Sequence, residues 1–329
     1  MENLPNGCVT LQVGPEIRAR IDQVSSATHL APGHSAEEFR AAVAGAEGLL
    51  CSNQIPITAE LMDSAPNLRV ISGFGVGYNN VDLEAATARG IAVCNTPGVL
   101  SAAVADLTIG MIVLASRGLV PNAAYVRDGG WARRDPAPPL GWDLDGKTLG
   151  LIGFGRIGKA VAERARVFGM KPIYYDTFTN PGAGWEDCPY RSLDDLFRES
   201  DVVSLHVNLT DETHHIVDAH ALAMMKPTAW VVNTSRGPVI DQPALTNALK
   251  TNQIAGAVLD VLEAEPPEAD DPILTLENAF TLPHIGSATV ETRAAMLELA
   301  VANFIAVMSG NRPPECVNPE VLESALRRR

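Results

Sequence analysis

Three apolar runs in the second half of the chain each end in side chains that could do chemistry. Trp230-Val231-Val232 leads into Asn233-Thr234-Ser235-Arg236-Gly237, and Ala257-Val258-Leu259 into Asp260-Val261 and on to Glu265-Pro266-Pro267. Phe280-Thr281-Leu282 leads into Pro283-His284-Ile285-Gly286-Ser287. Short apolar runs bounded by turn residues read as buried strands of a parallel sheet. In a doubly wound sheet the carboxyl ends of the strands share one crevice, so an arginine, a carboxylate and an imidazole would arrive at one edge. A fixed cation beside a proton donor stabilises negative charge building on a carbonyl oxygen. Imidazole can serve that purpose in both directions near neutral pH. Taken singly, His284, Arg236 or Glu265 reads more simply as a core or surface residue; their joint placement at three strand ends sets them apart.

A second feature lies upstream. The strand-like run Lys147-Thr148-Leu149-Gly150-Leu151-Ile152 leads directly into Gly153-Phe154-Gly155-Arg156-Ile157-Gly158. A helix is expected next, over 159–168, with Val161, Ala165 and Phe168 as its apolar stripe. Glycines at this spacing mean little alone, but between a strand and a helix they form a phosphate-binding turn. Gly153 would permit the tight turn, Gly155 the approach of a pyrophosphate, and Gly158 close packing of helix on strand. The helix N-terminus would then offer unpaired N–H groups and the positive end of its dipole. The next strand, Pro172-Ile173-Tyr174-Tyr175, ends at Asp176, a position suited to accepting both ribose hydroxyls. A carboxylate there repels a 2′-phosphate, so NAD is expected over NADP. Of the other histidines, His206 ends an apolar strand near this loop without obvious chemistry; His29, His34, His214, His215 and His220 read as surface or structural.

These features need a scaffold of alternating strands and helices. Gly48–Cys51, Leu68–Ser72 and Ile91–Cys94 read as buried strands, and Thr58 opens a helix. Segment 101–117 is apolar on most faces and should be a buried helix. Residues 118–147 carry Gly129-Gly130, a proline-rich stretch over 135–139 and two tryptophans, Trp131 and Trp142, and read as an irregular arm. The strand–helix rhythm resumes at Gly146, and a last long helix over 290–310 ends at Gly310, before a short tail closing on Arg327-Arg328-Arg329. The expectation is one domain of 1–99 plus 289–329 and a second, 100–288, inserted into it, with a hinge and a cleft where the chain crosses twice.

At 329 residues, two domains are natural. The net charge of −14 argues against nucleic acid or an anionic membrane as partner. It also means that an anionic substrate needs a local positive site. Five scattered cysteines, without paired or zinc-ligand spacing, suggest neither a disulfide framework nor a metal, and a reducing cytoplasm is expected. The start MENLPNGCVT lacks the pattern of a secretory signal, and no apolar stretch is long enough to cross a bilayer.

With these residues in place, the chain resembles the D-isomer-specific 2-hydroxyacid dehydrogenases, a family that includes glyoxylate/hydroxypyruvate reductases and phosphoglycerate dehydrogenases. The resemblance spans nearly the whole chain. Its carriers are GFGVGYNNVD (73–82), NTPGVLSAAVADLT (95–108), the GFGRIG loop, HVNLTDETHH (206–215), NTSRGPVID (233–241), LDVLEAEPP (259–267) and LPHIGSAT (282–289). It implies two doubly wound α/β parallel-sheet domains, a flavodoxin-like substrate domain and a Rossmann cofactor domain, with a cleft between. It implies hydride transfer between NAD(H) and C2 of a small D-2-hydroxy or 2-oxo acid of the glyoxylate, hydroxypyruvate or 2-ketogluconate type. Arg236 would bind the substrate carboxylate and carbonyl oxygen, and His284 would exchange that oxygen's proton. Glu265 would hydrogen-bond the far side of His284 and fix its tautomer, while Val76 and Gly77 would offer backbone N–H groups to the carboxylate. Beyond Gly153, Phe154, Gly155, Arg156, Ile157, Gly158 and Asp176, the resemblance implies cofactor contacts from Thr108, Val207 and Asn208. At the later strand ends these are Thr234, Ser235, Arg236, Asp260, His284 and Gly286. A homodimer built through the cofactor domains is expected.

Departures refine the picture. Asn208 stands where the family commonly has proline, so the loop under the adenosine should differ slightly. Val76 replaces the lysine of phosphite-oxidising relatives, and Glu265 the glutamine of formate dehydrogenases. The chain ends soon after its last helix, so the regulatory domain of many phosphoglycerate dehydrogenases is not expected. A non-catalytic NAD sensor on the same fold is the alternative from another class.

Overall fold

The computed structural model describes residues 4–327; residues 1–3 and Arg328 and Arg329 of the short tail lie outside the described residues. The chain divides into two compact units, one running to Leu100 and resuming at Thr289, the other Ser101–Ala288. Both are doubly wound sheets with all strands parallel.

The first unit opens with β1 (Asn6–Val9), α1 (Pro15–Asp22), β2 (Ser26–His29), α2 (Ala36–Ala44) and β3 (Gly48–Ser52). It continues through α3 (Ala59–Asp63), β4 (Val70–Phe74), α4 (Leu83–Ala88) and β5 (Ala92–Cys94). Strand order is β2-β1-β3-β4-β5, the flavodoxin-like arrangement, whose switch point lies between β1 and β3. Successive β3 residues Leu49 and Leu50 enter opposite apolar layers, as strand geometry dictates for a sheet covered on both faces. Thr58 precedes α3 and caps it, accepting a hydrogen bond from the Leu61 N–H at 3.3 Å.

The second unit runs α5 (Ser101–Arg117), α6 (Leu119–Arg127), α7 (Gly130–Arg133), β6 (Thr148–Ile152), α8 (Arg156–Val167), β7 (Lys171–Tyr175), α9 (Leu193–Glu199) and β8 (Val202–Leu205). It continues with α10 (Ala219–Met224), β9 (Trp230–Asn233), α11 (Gln242–Lys250), β10 (Gly256–Leu259) and β11 (Ala279–Thr281). Strand order is β11-β10-β9-β8-β6-β7, and Tyr190 makes a single parallel bridge to Tyr174 on the outer side of β7. With that bridge counted as a vestigial third strand, the order is that of a dinucleotide-binding sheet, reversing between β6 and β8. The chain then returns to the first unit with α12 (Val290–Met308) and α13 (Leu322–Arg327). Ser309 caps α12 and Gly310 follows with φ +78°, the left-handed residue that closes many helices.

Two expectations need correcting. Residues 118–147 are not irregular throughout, because α6 and α7 form before the proline-rich stretch. Pro121 sits in the first turn of α6, where its missing N–H costs nothing, and glycines at 118 and 129 with positive φ separate the helices. Helix α8 begins at Arg156 rather than 159, and its buried stripe is Gly158, Val161, Ala162 and Ala165. Phe168, expected in that stripe, is the C-cap residue and is exposed, since the helix has ended before its side chain can turn inward. Helix α5 is largely buried, as expected: Ala105, Ile109 and Ile112 pack in the core with Val161 and Ala165 of α8, while Asp106 and Gly110 face out.

Candidate active site

The loop after β6 divides its three glycines by function. Gly153 has φ +94°, and a side chain there would bring Cβ to 2.6 Å from the His206 carbonyl oxygen at the end of β8. At Gly158 a Cβ would collide with the Gly153 carbonyl, so this glycine sets how closely α8 lies on its strand. Gly155 differs: no protein atom lies within 4 Å of where its Cβ would be, and its φ is an ordinary −76°. The absence of a side chain at Gly155 leaves room beside the loop that protein packing does not need. Gly155 is also the N-cap of α8 and supplies no side-chain cap, whereas Ser192, Asp218 and Asp241 cap α9, α10 and α11. Uncapped N–H groups at the positive end of a 12-residue helix, beside open space, suit a pyrophosphate. Asp176 follows β7, and its Oδ2 accepts the Phe154 N–H at 2.6 Å, which holds the carboxylate against the glycine loop. These residues fit a dinucleotide.

The strand ends of β9, β10 and β11 lie along the same edge of the sheet. Asn233, fully buried, shapes the first turn: its Oδ1 accepts from the Ser235 N–H (2.9 Å) and hydroxyl (3.0 Å), and its Nδ2 donates to the Arg236 carbonyl (2.9 Å). Gly237 allows this turn to approach the backbone of Leu262 after β10 more closely than any side chain would permit. The Arg236 guanidinium donates to the Ser235 carbonyl at 2.8 Å. Burial lowers its pKa, and the nearby Glu265 charge opposes that shift.

His284 adopts φ +53°, a conformation rare for residues with a Cβ. It is held there by Asp260: the His284 N–H donates to the Asp260 carbonyl (2.9 Å), and the Ile285 and Gly286 N–H groups donate to the two carboxylate oxygens, each at 2.7 Å. Asp260 is buried, and that burial raises its pKa against the pull of those two N–H groups and His284. The imidazole Nδ1 lies 2.6 Å from Glu265 Oε2, and the ring remains 41% exposed. Burial works against the charged form of Glu265, but the His284 hydrogen bond and charge, the Leu262 N–H and Arg236 together hold its carboxyl below the usual range. An ionised carboxylate on Nδ1 leaves Nε2 to exchange a proton with a bound molecule.

Thr108 and Thr234 meet through their hydroxyls at 3.1 Å. Ser235 is buried, Gly286 lies close over Asp260, and Arg156 is exposed at the start of α8, where Ile157 packs inward. Val207 packs on the core, and the exposed Asn208 accepts the Thr213 hydroxyl on its carbonyl at 2.6 Å. In the first unit, Val76 and Gly77 follow β4 in a loop whose carbonyls are held by side chains: Asn95 Nδ2 donates to Val76 O at 2.7 Å and Asn53 Nδ2 to Gly77 O. Reasoning from sequence missed Asn233, Asn95 and Asn53. A buried asparagine ending an apolar strand is a visible signal for the first; the other two act on backbone distant in sequence.

A match to the family model described as D-isomer specific 2-hydroxyacid dehydrogenase, NAD binding domain, covers residues 109–286, which spans the glycine loop, Arg236, Glu265 and His284. A glyoxylate reductase of Korarchaeum cryptofilum is 48% identical over 270 residues, 82% of this chain and 81% of that one. The crystal structure of a glyoxylate reductase from Paecilomyes thermophila superposes with a TM-score of 0.89 at 32% identity, over 97% of this chain and all (100%) of the other. An NADPH-dependent glyoxylate/hydroxypyruvate reductase from Sinorhizobium meliloti, in complex with NADP and malonate, gives 0.84 at 34% identity over 95% and 96% of the two chains. A glycine loop built for a dinucleotide, a carboxylate–imidazole pair on the same sheet edge and these matches have one reading: the chain belongs to the D-isomer-specific 2-hydroxyacid dehydrogenase family, as an oxidoreductase that moves a hydride between a nicotinamide cofactor and a small 2-oxo or 2-hydroxy acid.

Proposed function

We propose that the chain reduces glyoxylate and hydroxypyruvate with NADH, and that Arg236, Glu265 and His284 carry the chemistry. The observation that supports this most strongly is the 2.6 Å contact between His284 Nδ1 and Glu265 Oε2. The nicotinamide, when bound, supplies the hydride to C2 of the acid. Arg236 opposes the charge that builds on the carbonyl oxygen, and His284 Nε2 delivers a proton to it; in oxidation the same nitrogen takes the proton back. Val76 and Gly77 of the first unit offer backbone N–H groups to the carboxylate. The uncapped amides that open α8, from Arg156 to Gly158, take the pyrophosphate, with Gly155 leaving room for it. Thr108, Val207, Asn208, Thr234, Ser235, Asp260, His284 and Gly286 line the rest of the cofactor's path, Asp260 acting through the backbone it holds.

NAD is preferred over NADP in this reading because the Asp176 carboxylate is fixed at the glycine loop, where a 2′-phosphate would meet its charge. A homodimer is favoured by the apolar side chains that α6, α7 and the following stretch leave exposed, Leu119, Val120, Val126, Trp131 and Leu140. No single helix among the described residues is long and apolar enough to cross a membrane, and the five cysteines are free, which fits a cytoplasmic enzyme.

The test is loss of NADH absorbance with glyoxylate, hydroxypyruvate, 2-ketogluconate, pyruvate and 3-phosphohydroxypyruvate, each repeated with NADPH. The reading expects the first two substrates to be fastest, with NADH. Preference for a bulkier acid, or for NADPH, would contradict it. A monomeric mass by sedimentation would contradict the dimer.

A further inference from the structure

We propose that Asn53 is a positioning residue: together with Asn95 it turns three consecutive backbone N–H groups, those of Val76, Gly77 and Tyr78, toward one small carboxylate. This rests on the proposed reduction of a 2-oxo acid and adds to it a third donor, Tyr78 N–H, and the side chain that orients it.

Three successive carbonyls in this loop are each held by a donor. Gly75 O accepts the Thr96 N–H at 2.8 Å, Val76 O accepts Asn95 Nδ2 at 2.7 Å, and Gly77 O accepts Asn53 Nδ2. The peptides here are trans, since the cis bond of the described chain is Glu265–Pro266. In a trans peptide the N–H points opposite to the C=O of the same plane. Fixing the carbonyls of residues 75, 76 and 77 therefore aims the N–H groups of 76, 77 and 78 away from Thr96, Asn95 and Asn53. None of those three N–H groups meets an acceptor among the described residues. N–H groups left unpaired in a loop are available to an anion, and hydrogen bonds to an ionised carboxylate are the strong kind.

Asn53 can do this because of its place in the fold. It follows the last residue of β3, beside the switch point of the first sheet, and Ser52 pairs in register with Phe74 of β4. Its side chain then lies flat under the departing β4 chain. A Cβ at Gly73 would fall 2.6 Å from Asn53 Oδ1, and one at Gly75 2.5 Å from Asn53 Nδ2. Those two glycines make room for the asparagine, and the asparagine in turn sets the third peptide plane. The stretch Gly73-Phe74-Gly75-Val76-Gly77-Tyr78 holds no lysine or arginine. What this loop offers an anion is backbone, and backbone donors act only if their planes are held.

The experiment compares wild type with Asn53→Ala and Asn53→Asp. It measures KM and kcat for glyoxylate, inhibition by oxalate as an unreactive carboxylate, NADH affinity by fluorescence quenching, and Tm. The proposal expects KM and the oxalate inhibition constant to rise together, by about tenfold for Asn53→Ala and more for Asn53→Asp, which adds repulsion. Turnover at saturation, NADH affinity and Tm should stay near wild type. Unchanged KM and oxalate inhibition in both variants would overturn it, as would a loss confined to Tm. Should either variant fail to fold, backbone amide shifts of labelled wild type with NADH and oxalate decide: Val76, Gly77 and Tyr78 must all move, and a silent Tyr78 overturns the third donor. A wild type inactive on every 2-oxo acid would instead defeat the reading of function, while the amide shifts would still test the loop.

Discussion

His284 Nδ1 and Glu265 Oε2 stand 2.6 Å apart, although their residues come from the ends of different strands and His284 reaches the position only through a left-handed backbone. Such a conformation persists where neighbours impose it, and here Asp260 does so by engaging three successive N–H groups, those of His284, Ile285 and Gly286. The pair therefore reads as a held proton donor. Glu265→Gln keeps an acceptor for Nδ1 but removes the charge that stabilises an imidazolium. We expect kcat/KM for reduction to fall by roughly tenfold or more, with Tm and NADH affinity little changed. Steady-state kinetics at saturating NADH would check this, and full activity in the variant would leave the pair a structural contact.

The roles of Gly155 and Gly158 can be separated experimentally. Gly158→Ala gains helix propensity of about 1 kcal/mol, yet places Cβ into the rigid Gly153 carbonyl, and overpacking of this kind costs typically ~1–3 kcal/mol. Its Tm should drop. Gly155→Ala meets no protein atom within 4 Å and needs no unusual backbone, so its Tm should hold while NADH binding weakens severalfold or more. Thermal melts and NADH titrations on both variants check this; unchanged NADH affinity in Gly155→Ala would mean that Gly155 serves only the turn.

Asp176→Ser removes the carboxylate that accepts the Phe154 N–H. The ratio of kcat/KM for NADH over NADPH should fall, mainly through better use of NADPH. An unaltered ratio would assign cofactor choice to another residue.

His206 gives the protein an acid-sensitive point. Its Nε2 pairs with the Ser204 hydroxyl at 2.9 Å, its Nδ1 is buried without a partner, and burial lowers its pKa from 6.5 to about 3. A histidine whose folded pKa is depressed contributes stability that is fully present above 6.5 and is lost as pH falls toward about 3. His206→Gln, which stays neutral, should lose Tm less steeply than wild type over that acid range. Parallel melting curves would refute the assignment.

Much of the architecture was legible because it rests on local rules. The strand ends at Asn233, Leu259 and Thr281 follow apolar runs that no helix period explains, and the glycine loop lies between strand and helix. The pairing of His284 with Glu265 came through the family resemblance, and its geometry rests on Asp260, whose two oxygens bind backbone rather than anything bound. Helix α6 was hidden by the glycines and prolines around it, which mark helix ends as readily as loops. Phe168 misled because periodicity says nothing about where a helix stops. Asn53 was illegible for a different reason: its partner is a carbonyl 24 residues away, and the peptide plane that it orients exists only in the folded chain.

The most direct test of the account is the turnover of His284→Ala with glyoxylate and saturating NADH, measured beside its affinity for NADH. The account predicts a fall in kcat of about 10²–10⁴-fold with NADH binding nearly intact. Turnover equal to wild type would show that the proton comes from elsewhere and would contradict the central assignment.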